Sequence, residues 1–295
     1  MTTLTEGPGR TRFSVRGWRA MSNEKSGVHQ SLTTDTVEVE DRGAVRIVTI
    51  TRPEIRNAVD AATATALFDA FVDFDADDDL FVAILTGADG NFCAGADLKA
   101  LSTGPGNHIG SESADEIVGT LGPMGPTRLY LSKPVIAAVE GYAVAGGIEL
   151  AAWCDLRVAA LDAKFGVFCR RFGVPLVDGG TIRLPRLIGE SRAADLILTG
   201  REVDAEEAAS IGLVNRLVPT GNALKGAIEL AESLAAFPQT CMRQDLRSMK
   251  SQAGKHVATA LTFEAVGGLD VVRSGETKAG ATRFTEGTGR HGQFF

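Results

Sequence analysis

A glutamate and the N–H of a helix start fall close together in the stretch LSKPVIAAVEGYAVAGGIELAAWCDLRVA, residues 131–159. Helix starts leave backbone N–H groups unpaired, and glycine lets a ligand approach them. A helix opening at Gly146-Gly147 therefore makes the Gly146 N–H a candidate donor to an oxyanion. Glu149 lies three residues on, and one helical turn returns its side chain to the face on which that N–H points. Donor and carboxyl group converge on one small volume. The neighbours Ile148, Leu150 and Ala151 predict a buried helix, not the solvated first turn in which a glutamate merely offsets the dipole.

Other chemistries find less support. Cys93, Cys154, Cys169 and Cys241 are scattered, with no CxxC pair or zinc-type spacing, and His29, His108, His256 and His291 are isolated, so no metal site is expected. No GxSxG elbow is present for a serine hydrolase. The GxGxxG match at Gly287–Gly292 has no strand before it or helix after it, which argues against a dinucleotide site.

The elements that must hold Gly146 and Glu149 read as α/β. A buried strand over Val135 to Val139 runs into a turn, then the helix, then a second apolar strand after Asp155. Upstream, VEVEDRGAVRIVTITRP alternates and breaks at Asp41-Arg42-Gly43 in the manner of a hairpin. Asp60 caps a helix expected to place Leu67, Phe68, Phe71, Val72 and Phe74 on one face and to end in a solvated acidic stretch, Asp73 to Asp79. A strand over Phe81 to Thr86 leads into the glycine-rich loop GADGNFCAGADL. Residues 103–115 read as a mobile loop, followed by a helix interrupted around Gly122-Pro123 and Gly125-Pro126. A second glycine-rich loop, AKFGVFCRRFGVPLVDGG, enters a helix, and from Ser191 the pattern is mostly helical, with three longer helices at the end.

At 295 residues the chain can build one large α/β domain with a helical appendage. A net charge of −7 argues against nucleic acid or a membrane surface as partner, and no apolar run is long enough to cross a bilayer. The dispersed cysteines suit a reduced, cytoplasmic protein. Residues 1–33, with Arg10, Arg12, Arg16 and Arg19, read as a disordered extension or as sequence upstream of a start at Met21. The expected organisation is this extension, a core over 34–220 and a helical oligomerisation region over 221–295, where Leu261, Phe263, Val266, Leu269 and Val272 would be exposed in a monomer.

In order along the chain, TRPEIRNAVD, NFCAGADLKAL, KPVIAAVEGYAVAGGIELAAWCDLRVA, AKFG, GGTIRLPRLIG and ASIGLVNRLVP resemble the enoyl-CoA hydratase/isomerase (crotonase) family from Thr36 to Phe295. The resemblance implies a spiral of ββα turns with a C-terminal helical trimerisation region, assembled as a trimer or dimer of trimers. It implies an acyl-CoA thioester substrate, with coenzyme A part of the substrate and no separate cofactor. Two backbone N–H groups, those of Ala96 and Gly146 by motif, would hold the thioester oxygen as an enolate forms, at roughly 3 kcal/mol each.

Glu149 matches one of the two glutamates with which hydratases of the family handle water and the enolate proton. The second falls on Cys169, a thiol where a carboxyl of adjustable pKa is expected. Asp178, just before Gly179-Gly180-Thr181, stands where dienoyl-CoA isomerases and 4-chlorobenzoyl-CoA dehalogenases of the family carry a working aspartate, and is equally placed to N-cap the next helix. Arg56, before Asn57-Ala58, matches the position near the nucleotide, with Lys99 and Arg170 as further phosphate candidates. Ala58, Ala94, Asp97, Leu98, Tyr142 and Cys169 complete the expected substrate contacts; Asp97 and Asp155 also suit structural work, on loop amides or on an arginine such as Arg157. The expected activity is hydration of a 2-enoyl-CoA. The rivals are double-bond isomerisation by Glu149 and Asp178, and a non-catalytic acyl-CoA-binding protein.

Overall fold

The computed structural model describes residues 32–289 apart from 105, 111, 112, 114 and 115; the expected N-terminal extension lies almost wholly outside them. Strands β1 (Val37–Arg42) and β2 (Val45–Ile50) form the antiparallel hairpin. The turn is Gly43-Ala44, because Asp41 and Arg42 stay in the ladder, where Asp41 accepts from Arg46 Nε at 2.8 Å. A six-stranded sheet continues from β2 through β3 (Val82–Gly87), β4 (Val135–Val139), β6 (Leu156–Ala160) and β9 (Arg216–Val218), all parallel.

Alternation along these strands divides two apolar layers. Val45, Ile47, Val82, Ile84, Ile136, Ala138 and Val158 face α7 (Ala223–Ala235). Val48, Ile50, Leu85, Ala137, Val139 and Ala159 face the larger core, built with α1 (Ala61–Ala76) and α3 (Gly146–Trp153). With both faces covered, the strands read as continuous apolar runs.

Asp60 caps α1 as expected, accepting from Thr63 N at 2.9 Å. Leu67, Phe71 and Phe74 are fully buried and Phe68 partly, but Val72 is exposed, because it lies about 140° round the helix from Leu67. The acidic end is not simply solvated either. Asp73 pairs with buried Arg46 at 2.6 Å, Asp75 accepts from Ser132 N at 2.8 Å, and buried Lys133 donates to the carbonyls of Phe74 and Asp77.

A second sheet was hidden in what reads as turn and helix. β5 (Tyr142–Val144) pairs parallel with β7 (Lys164–Gly166), which pairs antiparallel with β8 (Val203–Asp204). No α-helix forms between 116 and 130. Gly119 and Gly125 each take φ +91°, Gly122 and Gly125 bond each other reciprocally, and Pro126–Arg128 makes only a 3-10 turn. Proline supplies no N–H and these glycines leave the helical region, so the segment becomes a chain of turns.

The remaining helices are α2 (Leu98–Thr103), α4 (Gly180–Ile188), α5 (Glu190–Thr199), α6 (Ala205–Ser210), α8 (Gln239–Ser251), α9 (Val257–Arg273) and α10 (Glu276–Thr285). The described C-terminal part thus holds four helices where three were expected. Helix α8 is tied to the body through Lys250 to Asp155 at 2.7 Å and Arg243 to Leu80 O at 3.3 Å. Leu261, Val266, Leu269 and Val272 are exposed on α9, while Phe263 is half-buried beneath the cations of Arg247 and Lys255.

Candidate active site

The site begins where β5 enters α3. Ala145 turns the chain with φ +54° and ψ −124°, and Gly146 is the first helical residue, so its N–H lies ahead of the helical ladder. The loop 94–96 approaches from β3: a Cβ on Gly95 would stand 2.8 Å from Gly146 N, a contact that only glycine permits, and its φ of +98° makes the same demand. Val59 N donates to Gly95 O and Asp97 N to Val59 O, each at 2.8–2.9 Å, which leaves the Ala96 N–H between them outside that ladder. Among the described residues neither the Ala96 nor the Gly146 N–H has a hydrogen-bond acceptor.

Cys93 fastens this pair of loops. Its N–H donates to Tyr142 O at 2.8 Å, its carbonyl accepts from Val144 N at 3.1 Å, and its Sγ accepts from Gly95 N at 3.3 Å. Full burial pushes its thiol up to about 12, so it is a neutral packing group.

Glu149 is 2% exposed on α3. Its Oε1 accepts from Asp178 N at 3.0 Å and Gly180 N at 2.8 Å, at the start of α4. A side chain on Gly180 would strike that carboxyl at 2.9 Å. Asp178 is buried as well, and it does not cap α4: Gly179 occupies that position with φ +89° and no side-chain bond. Its Oδ1 instead accepts from Met124 N at 2.9 Å and from the Thr127 hydroxyl. Half-buried Arg183 braces both segments, donating to Asp178 O at 2.7 Å and Thr127 O at 2.6 Å.

Burial pushes Glu149 up to about 8, helped by the like charge of Asp178 and opposed by the two amide donors. Burial also raises Asp178, against its Thr127 and Met124 donors. Each carboxyl group has one oxygen held by two donors and, among the described residues, no partner on the other. The like charges disfavour ionisation of both groups at once, so one can serve as an acid while the other serves as a base.

These groups open on a cavity of about 530 Å³. Ala94, Ala96, Leu98, Gly146, Glu149, Cys169 and Asp178 line it together. Cys169, in the 3-10 turn Phe168–Phe172, has its thiol raised by burial and then by Glu149, so it is neutral rather than a thiolate. Arg56, Ala58, Asp97 and Tyr142 do not line it. Ala58 is buried, with its carbonyl on Arg52; Asp97 caps α2 through Lys99 N at 3.0 Å and pairs with Arg52 at 3.0 Å. Arg56 is exposed, its guanidinium 5.0 Å from the centroid of the Tyr142 ring. Arg170 spends its Nε on Ile197 O, whereas Lys99 is exposed. Asp155 bonds Val135 N and Lys250, and Arg157 is held mainly by carbonyls, so they do not form a carboxylate pair. Among the described residues no cluster of His, Cys, Asp and Glu gathers as a metal site.

Sequence reasoning missed Thr127, Met124 and Arg183, which hold Asp178, and Asn107, which binds the carbonyls of Val59 and Pro123 beside the cavity. Only Arg183 carried a local signal, five residues after Asp178 in the first turn of α4. The others meet the site across more than 45 residues of chain.

The family model for enoyl-CoA hydratase/isomerase matches residues 40–292. The chain belongs to that family. It is 38% identical over 255 residues to enoyl-CoA hydratase EchA19 of Mycobacterium tuberculosis, covering 84% of this chain and 92% of the relative. It is 39% identical over 203 residues to carnitinyl-CoA dehydratase of Salmonella typhi, covering 68% and 75%. Among solved structures, enoyl-CoA hydratase EchA1 of Mycobacterium marinum superposes with a TM-score of 0.78 at 41% identity, covering 85% of this chain and 96% of that one. The fold is accordingly the crotonase fold that the sequence resemblance implied. The family thus extends over the six-stranded sheet, both glycine-rich loops and the C-terminal helices.

Proposed function

We propose that this enzyme adds water across the double bond of a 2-enoyl-CoA thioester. The observation that carries the reading is the pairing of Glu149 and Asp178, each with one oxygen tied and one free, in the cavity lined by Ala96 and Gly146. The thioester oxygen would sit between the two free N–H groups, where negative charge develops as hydroxide adds to the β-carbon. In this scheme Asp178, with the lower ordinary pKa, takes the proton of water, and Glu149, raised to about 8, delivers its proton to the α-carbon. The two carboxyl groups return to their starting states by exchanging a proton with solvent. No cofactor is needed beyond the coenzyme A of the substrate.

Arg56 and Lys99, exposed beside the 94–98 loop, are offered for the nucleotide phosphates. The exposed apolar side chains of α9 support assembly with other copies of the chain, read as a trimer or a dimer of trimers. The four cysteines are free thiols, which supports a cytoplasmic setting, and no helix among the described residues is long and apolar enough to cross a membrane.

One observation favours double-bond isomerisation as a second reading. With Cys169 in place of a carboxyl, both proton-transfer groups are Glu149 and Asp178, as a shuttle between carbons would require. Incubation with 2-enoyl- and 3-enoyl-CoA substrates, followed by ultraviolet absorbance and mass, decides between them. Hydration removes the conjugated absorbance and adds the mass of water; isomerisation leaves the mass unchanged.

A further inference from the structure

We infer that the acyl group taken by this site is a hydrocarbon chain well beyond four carbons, rather than a short or a charged one. The inference rests on the acyl-CoA reading above and specifies its substrate.

At roughly 30 Å³ for each water-sized unit, a four-carbon acyl group fills about 120 Å³. The cavity of about 530 Å³ is several times larger. A short chain would leave most of its apolar lining without contacts, and dispersion depends on those contacts. The lining is also mostly apolar: Ser102 and Asn107 are neutral polar members, and among the described residues none facing the cavity is charged apart from Glu149 and Asp178, which the reaction uses. A cationic acyl group has no further carboxylate there to pair with, and a second carboxylate on the substrate would meet no cation.

The apolar lining continues out of the cavity. Leu98 and Leu101 on α2, with Ile109, stand 44%, 37% and 51% exposed on the lining, and Phe172, ending the turn that carries Cys169, is 68% exposed. Single exposed apolar residues are ordinary, but four lining one mouth form a patch that gains from being covered. A long chain leaving the reacting carbons would cover it. Cys169 contributes as well, since a thiol leaves more room beside Glu149 than a glutamate would.

The test is kcat/KM for crotonyl-, 2-octenoyl- and 2-dodecenoyl-CoA, with the trimethylammonium-bearing enoyl thioester of four acyl carbons as the charged arm. The ratio of dodecenoyl to crotonyl should be about tenfold or more, as each buried methylene favours the longer chain. Phe172→Ser should lower that ratio by about threefold, and the charged substrate should be turned over less well than crotonyl-CoA. Equal or better use of crotonyl-CoA than dodecenoyl-CoA, or preference for the charged substrate, would overturn the inference while leaving the hydratase reading intact. If no enoyl thioester is turned over, that reading fails separately, and calorimetric binding of butyryl- and lauroyl-CoA decides the inference. Lauroyl-CoA should then bind about tenfold more tightly, and equal affinity would refute it.

Discussion

Replacing Glu149 with Gln should make the protein more stable at alkaline pH while nearly abolishing turnover. The amide keeps the shape and an oxygen for the Asp178 and Gly180 N–H groups, but cannot ionise. In the wild type the carboxyl is raised from 4.5 to about 8. The folded state therefore holds a proton that the unfolded chain has released, so this contribution is fully present below about pH 4.5 and is lost as pH rises through about 8. At 1.36 kcal/mol per pH unit the whole shift corresponds to about 5 kcal/mol, and the part between pH 6 and 8 to about 3 kcal/mol. For a chain of this size that is about 5–10 °C in melting temperature. Thermal melts of both proteins at pH 6 and 9 should show wild type losing that much more than Glu149→Gln across the interval. Turnover of a 2-enoyl-CoA by the variant should fall by about two to four orders of magnitude. Parallel pH–stability curves would refute the burial argument. Unchanged turnover would refute the assignment of Glu149 as a proton-transfer group.

Asp178→Asn should lower turnover by about two orders of magnitude or more and, by removing a like charge, move the kinetic pKa of Glu149 down; an unshifted pH–rate profile would show that the two groups do not interact. Gly95→Ala should cut kcat by about a hundredfold, because the methyl group would meet Gly146 N at 2.8 Å and the φ of +98° disfavours it; wild-type kcat in a folded variant would remove these loops from catalysis. Sedimentation at micromolar concentration should give a mass at three times the chain or a multiple of it. Leu261→Asp with Leu269→Asp should shift that mass downward, and a wild-type monomer would refute the assembly.

Much of the frame was legible because its signals are local. The cap at Asp60, the hairpin, the strand over Val135 to Val139 and the glycine helix start before Glu149 each rest on a few adjacent residues. β5, β8 and β9 were not legible, since strands of two or three residues carry no period; Tyr142 pairs with Lys164 and Val158 with Arg216 only once the chain has folded. The turns at 116–130 misled for another reason: glycine and proline at Gly122-Pro123 and Gly125-Pro126 read as interruptions of a helix that never forms.

Asp178 shows why one part of the site could be read only as an alternative. An aspartate before a helix start usually supplies the cap, and nothing in its neighbourhood says otherwise. Here the N–H of Gly180, the first residue of α4, and that of Asp178 just before the helix are both answered from another helix, by Glu149 Oε1. That arrangement does two things at once. It releases Asp178 from capping, so its carboxyl turns to Met124 and Thr127, and it fixes Glu149, which lines the cavity, by one of its two oxygens. The two acids are therefore coupled through the backbone of residues 178–180 as well as through charge. A substitution that disturbs this turn, such as Gly180→Ala with its added carbon 2.9 Å from the Glu149 carboxyl, would displace both groups together. Local sequence signals miss this because the cap and the helix it serves are 31 residues apart.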